Sequence, residues 1–536
     1  MHWFQAILYL AAPVMQTKPD LLIMCLLNSA SEKLNLSVSL PKRYSRMNHI
    51  KIDLDRRLGN IHPHIFGGFA EHLGRCFYGG IYEPGSPLAD DEGFRTDVLD
   101  ALRRLRMPII RYPGGNFVSG YRWLDGVGPL EERQTRIDMA WDTLEPNHFG
   151  TNEFIQFCRK VETEPYFVVN CGDGDMREAH DWVEYCNGTQ DTALVKLRKQ
   201  HGFEAPHEVK YWGIGNEVDG TWQIGYKSPA EYARAYKEFA KVMRWSDPSI
   251  KLIASVTSNW SEPFVERTQL LLEEAPDHVD YVSIHWYVGN REDDFARYMT
   301  VSEFFDERIG VFEGLIKAMR LQQKIQKPIA IAVDEWNVWY RARGATAEER
   351  NNLEEIYNLE DALVVAMHFN AFIRHAQMVK MANIAQIVNV IAPIFTNPDG
   401  LFLQTIFHPF EIYSRTCGNV ALDVFWKGDT FSGGDYSALR TLDVSATLDE
   451  QKKSLSLYVV NRSQTDALET TIALDSGYFS GPVQAYVVNG PDIKSENSFD
   501  NPNQVGVTDA AITAERSHLT YTFEPHSVTA LVCPLE

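Results

Sequence analysis

Cysteine is scarce in this chain. Its 536 residues include seven cysteines at irregular spacing, and no two of them are separated by only two residues. Structural zinc sites and dithiol redox motifs use closely spaced cysteine pairs, so neither is expected here. The odd number and irregular spacing are typical of buried, reduced thiols rather than of a disulfide framework.

Positive charge is also in short supply. Lys and Arg total 51 against 72 Asp and Glu, which gives a net charge of -21 at pH 7. No basic run offsets this acidic balance, so a polyanion such as nucleic acid would be repelled and is not expected as a partner. A neutral substrate such as a sugar is compatible with this charge.

Long apolar runs are missing as well. The apolar stretches Trp3–Met15 and Leu21–Leu27 are both shorter than the roughly 20 residues that span a bilayer, so no membrane partner is expected. The first stretch lacks a positively charged start, and the second lies far from the amino terminus for a signal peptide. We treat 1–46 as an extension of uncertain role; a signal and a true start at Met47 stay open. The compartment also stays open, with the cytoplasm favoured over secretion.

What the chain does have is a regular alternation of strands and helices. From about residue 65 to 393, short β-rich runs alternate with longer helical patterns, such as the capping box Ser228–Glu231 that opens a helix. Several runs are almost continuously apolar, as in Tyr166–Val169, which is typical of parallel strands covered on both faces. Eight strand–helix repeats predict an α/β fold, a (β/α)8 TIM barrel. The predicted strands are Ile65–His72, Pro108–Gly115, Pro165–Gly172, Tyr211–Glu217, Lys251–Ser258, Tyr281–Tyr287, Pro328–Trp336 and Ile384–Pro393.

The last part of the chain has a different pattern. After about residue 425 no long helical period appears, and short strand-like runs such as Leu455–Val460 and Val483–Val488 predict a C-terminal antiparallel β-sandwich, jelly-roll-like in type. The segment His49–Leu54 alternates in the same way and is expected to join that sandwich. The predicted domains are the extension 1–46, joining strands 47–64, the catalytic barrel 65–425 and the β-sandwich 426–536.

Polar residues gather where the predicted barrel strands end. Glu71 lies at the end of the first strand, Asn216-Glu217 at the end of the fourth, and Glu335 at the end of the seventh. Barrel enzymes build their sites at these carboxyl ends, and polar groups at the end of an apolar strand are costly unless they are used or paired.

Two of these carboxylates suit glycosidic chemistry. A retaining glycosidase needs a carboxylic acid to protonate the leaving oxygen and a carboxylate to attack the anomeric carbon, about 5 Å apart. The ends of strands four and seven face each other across a barrel mouth, so the fold can bring Glu217 and Glu335 together. Asn216 could bond the sugar 2-hydroxyl. The plainer alternative is that each Glu pairs with a neighbouring Arg or Lys.

Longer strings around these residues resemble one family. They are Phe69–Arg75 with Tyr78–Tyr82, Arg111–Phe117, Gly213–Glu217, Asp334–Tyr340, and Val388–Pro393 continuing to Gln404–Phe407. Together they resemble the family 51 α-L-arabinofuranosidases, a group of retaining glycosidases, and the resemblance covers about residues 47 to 536. One departure is Trp286 between His285 and Tyr287, which leaves the shape of the leaving-group side open.

The resemblance implies a function and a set of site residues. The function is the release of terminal non-reducing α-L-arabinofuranosyl residues from arabinoxylan, arabinan or arabino-oligosaccharides by double displacement. Glu217 would be the acid/base and Glu335 the nucleophile. The sugar-binding residues would be Glu71, Asn116, Asn216, Tyr287 and Gln404, with Trp339 positioning the substrate. The resemblance also implies a homo-oligomer, often a hexamer.

Other functions and sites stay in view. An endo-β-glucanase or a β-xylosidase could use the same barrel, and retention of both Glu residues argues against a non-catalytic carbohydrate-binding protein. His62, His64 and His72 cluster near the first strand without a carboxylate pattern, so no metal site is predicted, and no cofactor is expected. Trp222, shortly after the fourth strand, could line the cleft as readily as pack in the core.

Overall fold

The computed structural model describes residues 48–258, 263–340 and 352–536. The predicted extension, 1–46, lies outside the described residues. In chain order the first strands are β1 (Asn48–Asn60), β2 (Gly67–Phe69), β3 (Ile109–Tyr112), β4 (Arg136–Asp138), β5 (Thr143–Glu145), β6 (Glu164–Val169), β7 (Tyr211–Ile214), β8 (Lys251–Thr257), β9 (Tyr281–Val288), β10 (Ala330–Val338), β11 (Val379–Ala385), β12 (Ile394–Asn397) and β13 (Gly400–Leu403).

The helices lie mostly between the strands of this first part. They are α1 (Thr96–Leu105), α2 (Thr151–Lys160), α3 (Met176–Asn187), α4 (Ala193–Gln200), α5 (Pro229–Ser246), α6 (Phe264–Glu274), α7 (Phe295–Tyr298), α8 (Val301–Gln322), α9 (Leu359–Arg374) and α10 (Phe407–Thr416). Helix α5 begins at the predicted capping box, in which the Ser228 side chain accepts from the Glu231 amide and the Glu231 carboxylate accepts from the Ser228 amide.

A closed parallel barrel forms the body of the described chain. Its strand order is β2, β3, β6, β7, β8, β9, β10 and β11, with β11 pairing back to β2. The strands bury apolar side chains on both faces. One set, including Val168, Ile253 and Met381, fills the barrel interior, and the other packs against the surrounding helices. The predicted (β/α)8 barrel is confirmed.

The eighth barrel strand lies earlier than predicted. The apolar pattern predicts a strand at Ile384–Pro393, whereas β11 covers Val379–Ala385. The apolar run after β11 is buried but irregular, because Asn389 and Ile391 adopt positive φ angles of 60° and 38° and break the extended chain. Burial without strand pairing therefore produced the misplaced strand.

The C-terminal part forms a sheet with its own core. Its strands are β14 (Val420–Lys427), β15 (Thr430–Gly433), β16 (Tyr436–Arg440), β17 (Leu442–Asp449), β18 (Ser454–Asn461), β19 (Leu468–Leu474), β20 (Val483–Asn489), β21 (Gly506–Ile512), β22 (His518–Phe523) and β23 (Ser527–Pro534). Nine described strands join in the order β21-β20-β23-β18-β17-β14-β1-β19-β22. The predicted combination of barrel and mostly antiparallel C-terminal sheet is confirmed.

Strand β1 lies inside this sheet, although it precedes the barrel in the chain. It pairs antiparallel with β14 and parallel with β19, and that parallel pair is the one exception among the pairings described for this sheet. Ile50 and Ile52 of β1 are fully buried in the sheet's core. Strand β14 begins at Val420 and runs across residue 425, where the sequence analysis ends the barrel domain.

Among the helices that the structure describes, none combines the length and the apolar character that crossing a membrane requires.

Candidate active site

The structure brings Glu217 and Glu335 together at the barrel mouth. Glu335 lies on β10, and Glu217 follows the end of β7, where Gly215 and Glu217 take positive φ angles of 78° and 42° and turn the chain. One oxygen of each carboxylate and a ring nitrogen of His285 all lie within 4.8 Å of one another. This spacing fits the close carboxyl pair of a retaining glycosidase and is too short for the water that an inverting enzyme places between its carboxyls.

Glu335 is buried and held on both oxygens. Arg111 Nη1 donates to Glu335 Oε1 at 2.6 Å, and the Tyr287 hydroxyl donates to Oε2 at 3.0 Å. His285 Nδ1 lies 3.3 Å from Oε2. These contacts compensate the carboxylate charge and fix its orientation, as a nucleophile that must attack one carbon atom requires.

Asn216 has one side-chain hydrogen-bond donor that is unpaired among the described residues. Its Oδ1 accepts from Arg111 Nη2 at 2.7 Å, which orients the side-chain amide. Its Nδ2 is buried and has no hydrogen-bond partner among the described residues. A buried, unpaired donor is costly, so this amide is prepared for an acceptor that a ligand brings.

Glu217 has a different environment from Glu335. Its Oε1 lies 3.0 Å from His285 Nδ1, and its Oε2 accepts from the indole nitrogen of Trp222 at 3.2 Å. Burial raises the pKa of Glu217, the negative charge of Glu335 raises it further, and His285 opposes both. Of the two carboxyl groups, Glu217 is therefore suited to hold a proton.

A charged pair that the sequence analysis did not assign supports both carboxylates. Burial would lower the pKa of His285, but Glu335, Asp334 and Glu217 outweigh it and raise the pKa to about 10. Burial would raise the pKa of Asp334, but Arg111 and His285 lower it to about 2. The Ser283 hydroxyl and the Tyr166 hydroxyl also donate to Asp334, the latter at 2.8 Å. His285 is thus a cation and Asp334 an anion at neutral pH.

Glu71 forms a second wall of the site. Its Oε1 accepts from the Phe117 amide at 3.0 Å and the Trp141 indole at 3.1 Å, and its Oε2 accepts from Gln386 Nε2 at 3.1 Å. Burial raises the pKa of Glu71 to about 8, with a contribution from nearby Glu335. The Phe117 amide and the Trp141 indole, which donate to the carboxyl oxygen, oppose this rise in the pKa.

The hairpin β4–β5 holds Trp141 against Glu71. Glu145 at its end binds His72 Nδ1 at 2.9 Å and the Tyr78 hydroxyl at 2.5 Å. Burial would raise the pKa of Glu145, but His72 and Tyr78 outweigh it and lower the pKa, so the carboxylate stays ionised. Because His72 directly follows Glu71, this contact fixes the hairpin to the same strand end that carries Glu71.

The remaining predicted residues are placed differently. Trp339 packs edge-on against Tyr287, with ring centroids 5.7 Å apart. Asn116 begins a short 3-10 helix directly after Gly115 and is partly buried. A Cβ atom on Gly115 would lie 3.1 Å from Glu335 Oε1 and 3.3 Å from Glu71 Oε2, so the glycine that precedes Asn116 lets the chain pass close to both carboxyl groups.

Gln404 does not join the carboxylates. Its Nε2 donates to the backbone oxygens of Glu355 and Ala392 at 2.8 and 2.9 Å, and its Oε1 accepts from the Tyr357 amide at 2.9 Å. These three contacts occupy the amide with backbone. The glutamine beside Glu71 is Gln386, directly after β11, and the misplaced eighth strand is the reason that the sequence analysis missed it.

Two groups of described residues are close enough to hold a metal ion. One is His180, Asp181 and Glu184 on α3, and the other is Glu217, His285 and Glu335. In the second group His285 is itself a cation and Arg111 contacts Glu335, so positive charge is already present beside the carboxylates. The arrangement fits a nucleophilic carboxylate beside a general acid.

Comparison with known proteins agrees with this geometry. Two domain families match the chain: "Alpha-L-arabinofuranosidase 1 domain" over residues 101–306 and "Alpha-L-arabinofuranosidase C-terminal domain" over residues 334–527. A curated relative, the intracellular exo-α-(1→5)-L-arabinofuranosidase 1 of Bacillus subtilis, is 39% identical over 488 residues, covering 89% of this chain and 97% of the relative.

Solved structures are similar over the same length. The α-L-arabinofuranosidase of Thermotoga maritima, solved with arabinose, is 37% identical with a TM-score of 0.84, covering 91% of this chain and 100% of that one. A family 51 α-L-arabinofuranosidase of Bifidobacterium longum is 32% identical with a TM-score of 0.85, covering 91% and 99%. The chain belongs to the α-L-arabinofuranosidases of glycoside hydrolase family 51, a family of retaining glycosidases.

Proposed function

We propose that this enzyme releases terminal non-reducing α-L-arabinofuranosyl residues from arabinan, arabinoxylan or arabino-oligosaccharides, with Glu335 as the nucleophile and Glu217 as the acid/base. The observation that carries the assignment is the close pair itself. The two carboxyl groups lie within 4.8 Å of each other, yet only Glu335 contacts Arg111. Such unequal environments separate the acid from the nucleophile.

The reaction then proceeds in two steps, formation of a glycosyl ester and its hydrolysis. Glu335 attacks the anomeric carbon and forms a glycosyl ester, while Glu217 gives its proton to the departing glycosidic oxygen. Esterification removes the negative charge of Glu335, so the pKa of Glu217 falls and its carboxylate can accept a proton from water. Water attacks the same carbon, the ester bond breaks, and both carboxyl groups return to their starting states with net retention of configuration.

The sugar contacts are assigned to groups around this pair. The unpaired Asn216 Nδ2 suits one sugar hydroxyl, the buried Glu71 carboxyl group suits another, and the Tyr287 hydroxyl lies 3.0 Å from Glu335 Oε2, beside the sugar's reacting carbon. Asn116 and Trp339 would contribute from the rim. Gln386 would hold Glu71 in place, because its Nε2 donates to Glu71 Oε2 and its Oε1 accepts from the Glu71 amide. The sugar-binding role of Gln404 is proposed from the family resemblance.

The proposal extends to location and assembly. The Bacillus subtilis relative is named as intracellular, and the six cysteines within the described residues are free thiols, which together favour a site of action inside the cell. A homo-oligomer, up to a hexamer, is proposed from the family resemblance. Cell fractionation and sedimentation velocity measure these two properties.

The function is tested by comparing three aryl glycosides. We expect rapid hydrolysis of 4-nitrophenyl α-L-arabinofuranoside and at least about a hundredfold lower kcat/KM on the β-D-xyloside and β-D-glucoside, a preference of a size that substrate hydrogen bonds can supply. Early NMR spectra should show arabinose released as the α-anomer. A preference for the xyloside or glucoside would favour the β-xylosidase or β-glucanase alternative. The family membership does not favour that alternative.

A further inference from the structure

Strands β7 and β8 part just before the chain reaches Glu217. The last pair in their described register is Ile214 with Ala254, and Glu217 follows three residues later with a positive φ of 42°. Where the strands part, the Tyr232 hydroxyl donates to the Ile214 carbonyl oxygen and accepts from the Ser255 amide, both at 2.7 Å. Side chains therefore take over from backbone pairing in holding the segment that carries the acid.

Asp219 joins the chain beyond the acid to the end of β8. Its Oδ2 accepts from both the amide and the hydroxyl of Ser258, at 2.9 and 3.0 Å, and Ser258 directly follows β8. Both residues are buried, and hydrogen bonds to a carboxylate are among the strong ones. The Gly220 amide donates to the Glu217 carbonyl oxygen at 2.8 Å and closes a tight turn that contains Asp219. A shift of Asp219 would therefore move Glu217.

The same segment is held from the strand on its other side. The Lys227 amide donates to the Val218 carbonyl oxygen at 2.8 Å, and its ammonium group donates to the carbonyl oxygen of Cys171, just after β6, at 2.7 Å. Arg267 Nη2 donates to the Lys227 carbonyl oxygen at 2.9 Å. The acid's segment is thus tied to both neighbours of β7, to β6 through Lys227 and to β8 through Asp219.

We propose that Asp219 is a positioning residue for the acid/base, and that its link to Ser258 holds the Glu217 carboxyl group within reach of the leaving oxygen. This inference rests on the proposed function. A general acid must lie within hydrogen-bond distance of the atom that it protonates, and a misplacement of about 1 Å can cost a hundredfold in rate. Loss of the link should impair proton donation selectively, because Glu335 lies on β10 and is held separately by Arg111.

Two substrates separate proton donation from the rest of the reaction. Methyl α-L-arabinofuranoside needs its leaving oxygen protonated, whereas 4-nitrophenyl α-L-arabinofuranoside needs little protonation. Burial raises the pKa of Glu217, and the charges of Glu335 and Asp219 raise it further. We therefore compare kcat/KM on the acidic side of the pH optimum, where Glu217 stays protonated even when the charge of Asp219 is removed.

The chain offers variants that separate the link from the charge. Asp219→Ala removes both. Asp219→Asn removes the charge and keeps the link, because a single oxygen makes both contacts with Ser258. Asp247→Ala is the matched control, because Asp247 Oδ1 likewise accepts from the amide and hydroxyl of one serine, Ser249, but does so before β8 begins, at the opposite end of the barrel.

We expect Asp219→Ala to lower kcat/KM for the methyl arabinoside by roughly tenfold to a hundredfold and for the nitrophenyl arabinoside by less than about threefold. Asp219→Asn should recover most of that loss. Ser258→Ala removes one of the two contacts and no charge, so it should show the same selectivity to a smaller extent, and it decides the question if Asp219→Ala does not fold. Equal losses on both substrates, a loss no larger than in Asp247→Ala, or a loss in Asp219→Asn as large as in Asp219→Ala would overturn the inference. Equal losses on both substrates in Glu217→Ala would instead overturn the proposed function.

Discussion

At the scale of single residues, the active site divides charge between two carboxyl groups by giving them different neighbours. Glu335 has the Arg111 guanidinium at 2.6 Å, whereas Glu217 is buried beside the negative charge of Glu335 and has a raised pKa. The difference between a nucleophile and an acid therefore lies in the surroundings and not in the side chain, since both residues are glutamates.

Removing the nucleophile should stop the first step. Glu335→Gln keeps the shape of the side chain but cannot form the glycosyl ester, so we expect kcat to fall by at least about a thousandfold. In Glu335→Ala, added azide should enter the vacated space and give a glycosyl azide of inverted configuration, which NMR identifies. Near-normal turnover in both variants would assign the nucleophile to another residue.

Removing the acid should have an effect that depends on the leaving group. Glu217→Ala should slow glycosylation far more on arabino-oligosaccharides than on activated aryl arabinosides, because only the natural leaving oxygen needs a proton. Azide should restore the second step and give a product of retained configuration. Pre-steady-state measurement of the first step checks this, and equal losses on good and poor leaving groups without azide rescue would make Glu217 structural.

The charge of His285 should appear in the pH dependence of stability. The pKa of this ring is raised from 6.5 to about 10, so the stabilisation that it provides is complete below about pH 6.5 and is lost as the pH rises through 10. The difference in unfolding free energy between the wild type and His285→Gln should therefore shrink from pH 7 to pH 10. Asp334 titrates near 2 and does not contribute in that window. Urea unfolding at several pH values measures the difference, and a constant value would contradict the charged state.

The sequence predicted part of this site and missed part of it. Glu217 and Glu335 could be found because one follows an apolar strand and the other lies near the carboxyl end of an apolar strand three places further round a regular barrel. The cationic state of His285 depends on three carboxylates that come from two other strand ends, which no local pattern reveals. Gln386 was missed because burial of the run after β11 mimics a strand and moved the predicted strand end away from it.

At the scale of elements, the hairpin β4–β5 is buried on one face and exposed to solvent on the other. Asp138 and Glu145 are buried toward the barrel, whereas Ile137 and Leu144, which lie opposite each other across the hairpin, are 69% and 72% exposed. Contacts of Glu145 with His72 and Tyr78 therefore secure the element that carries Trp141 to Glu71.

Loss of that anchor should loosen the site and the fold together. Glu145→Ala leaves His72 and Tyr78 buried without their acceptor, so we expect the free energy of unfolding to fall by about 3 kcal/mol. KM for arabinosides should rise severalfold, because Trp141 is no longer held against Glu71. The exposed Thr143→Ala on the same hairpin is the control. Unchanged KM and unchanged unfolding would show that the hairpin is held by other contacts.

At the scale of the whole molecule, the barrel and the sheet were predictable to different degrees. Periodic apolar runs predict the barrel because each strand is covered on both faces. The sheet's strands were found from alternation and turns, but alternation cannot show which strands are neighbours. The parallel pairing of β1 with β19 therefore could not be predicted, although β1 was expected to belong to this part of the fold.

Residues 1–46 should be dispensable for activity. A chain that starts at Met47 retains all of β1, which begins at Asn48, and every strand of the barrel and sheet described above. We expect this shortened chain to be expressed as folded protein with kcat/KM within about twofold of the full chain, a difference of less than about 0.5 kcal/mol in the barrier. Failure of the shortened chain to fold would show that the extension contributes to the core. Circular dichroism and assays on 4-nitrophenyl α-L-arabinofuranoside provide the measurements.

The position of β1 sets the order in which this protein can be completed on the ribosome. Strand β1 leaves the exit tunnel before any barrel strand, yet its partners β14 and β19 are translated some 360 to 420 codons later. During that interval its two hydrogen-bonding edges and the apolar Ile50 and Ile52 remain without their final neighbours. The nascent chain therefore contains an unpaired β1 segment during synthesis of the whole barrel. We expect a holding chaperone to bind this segment.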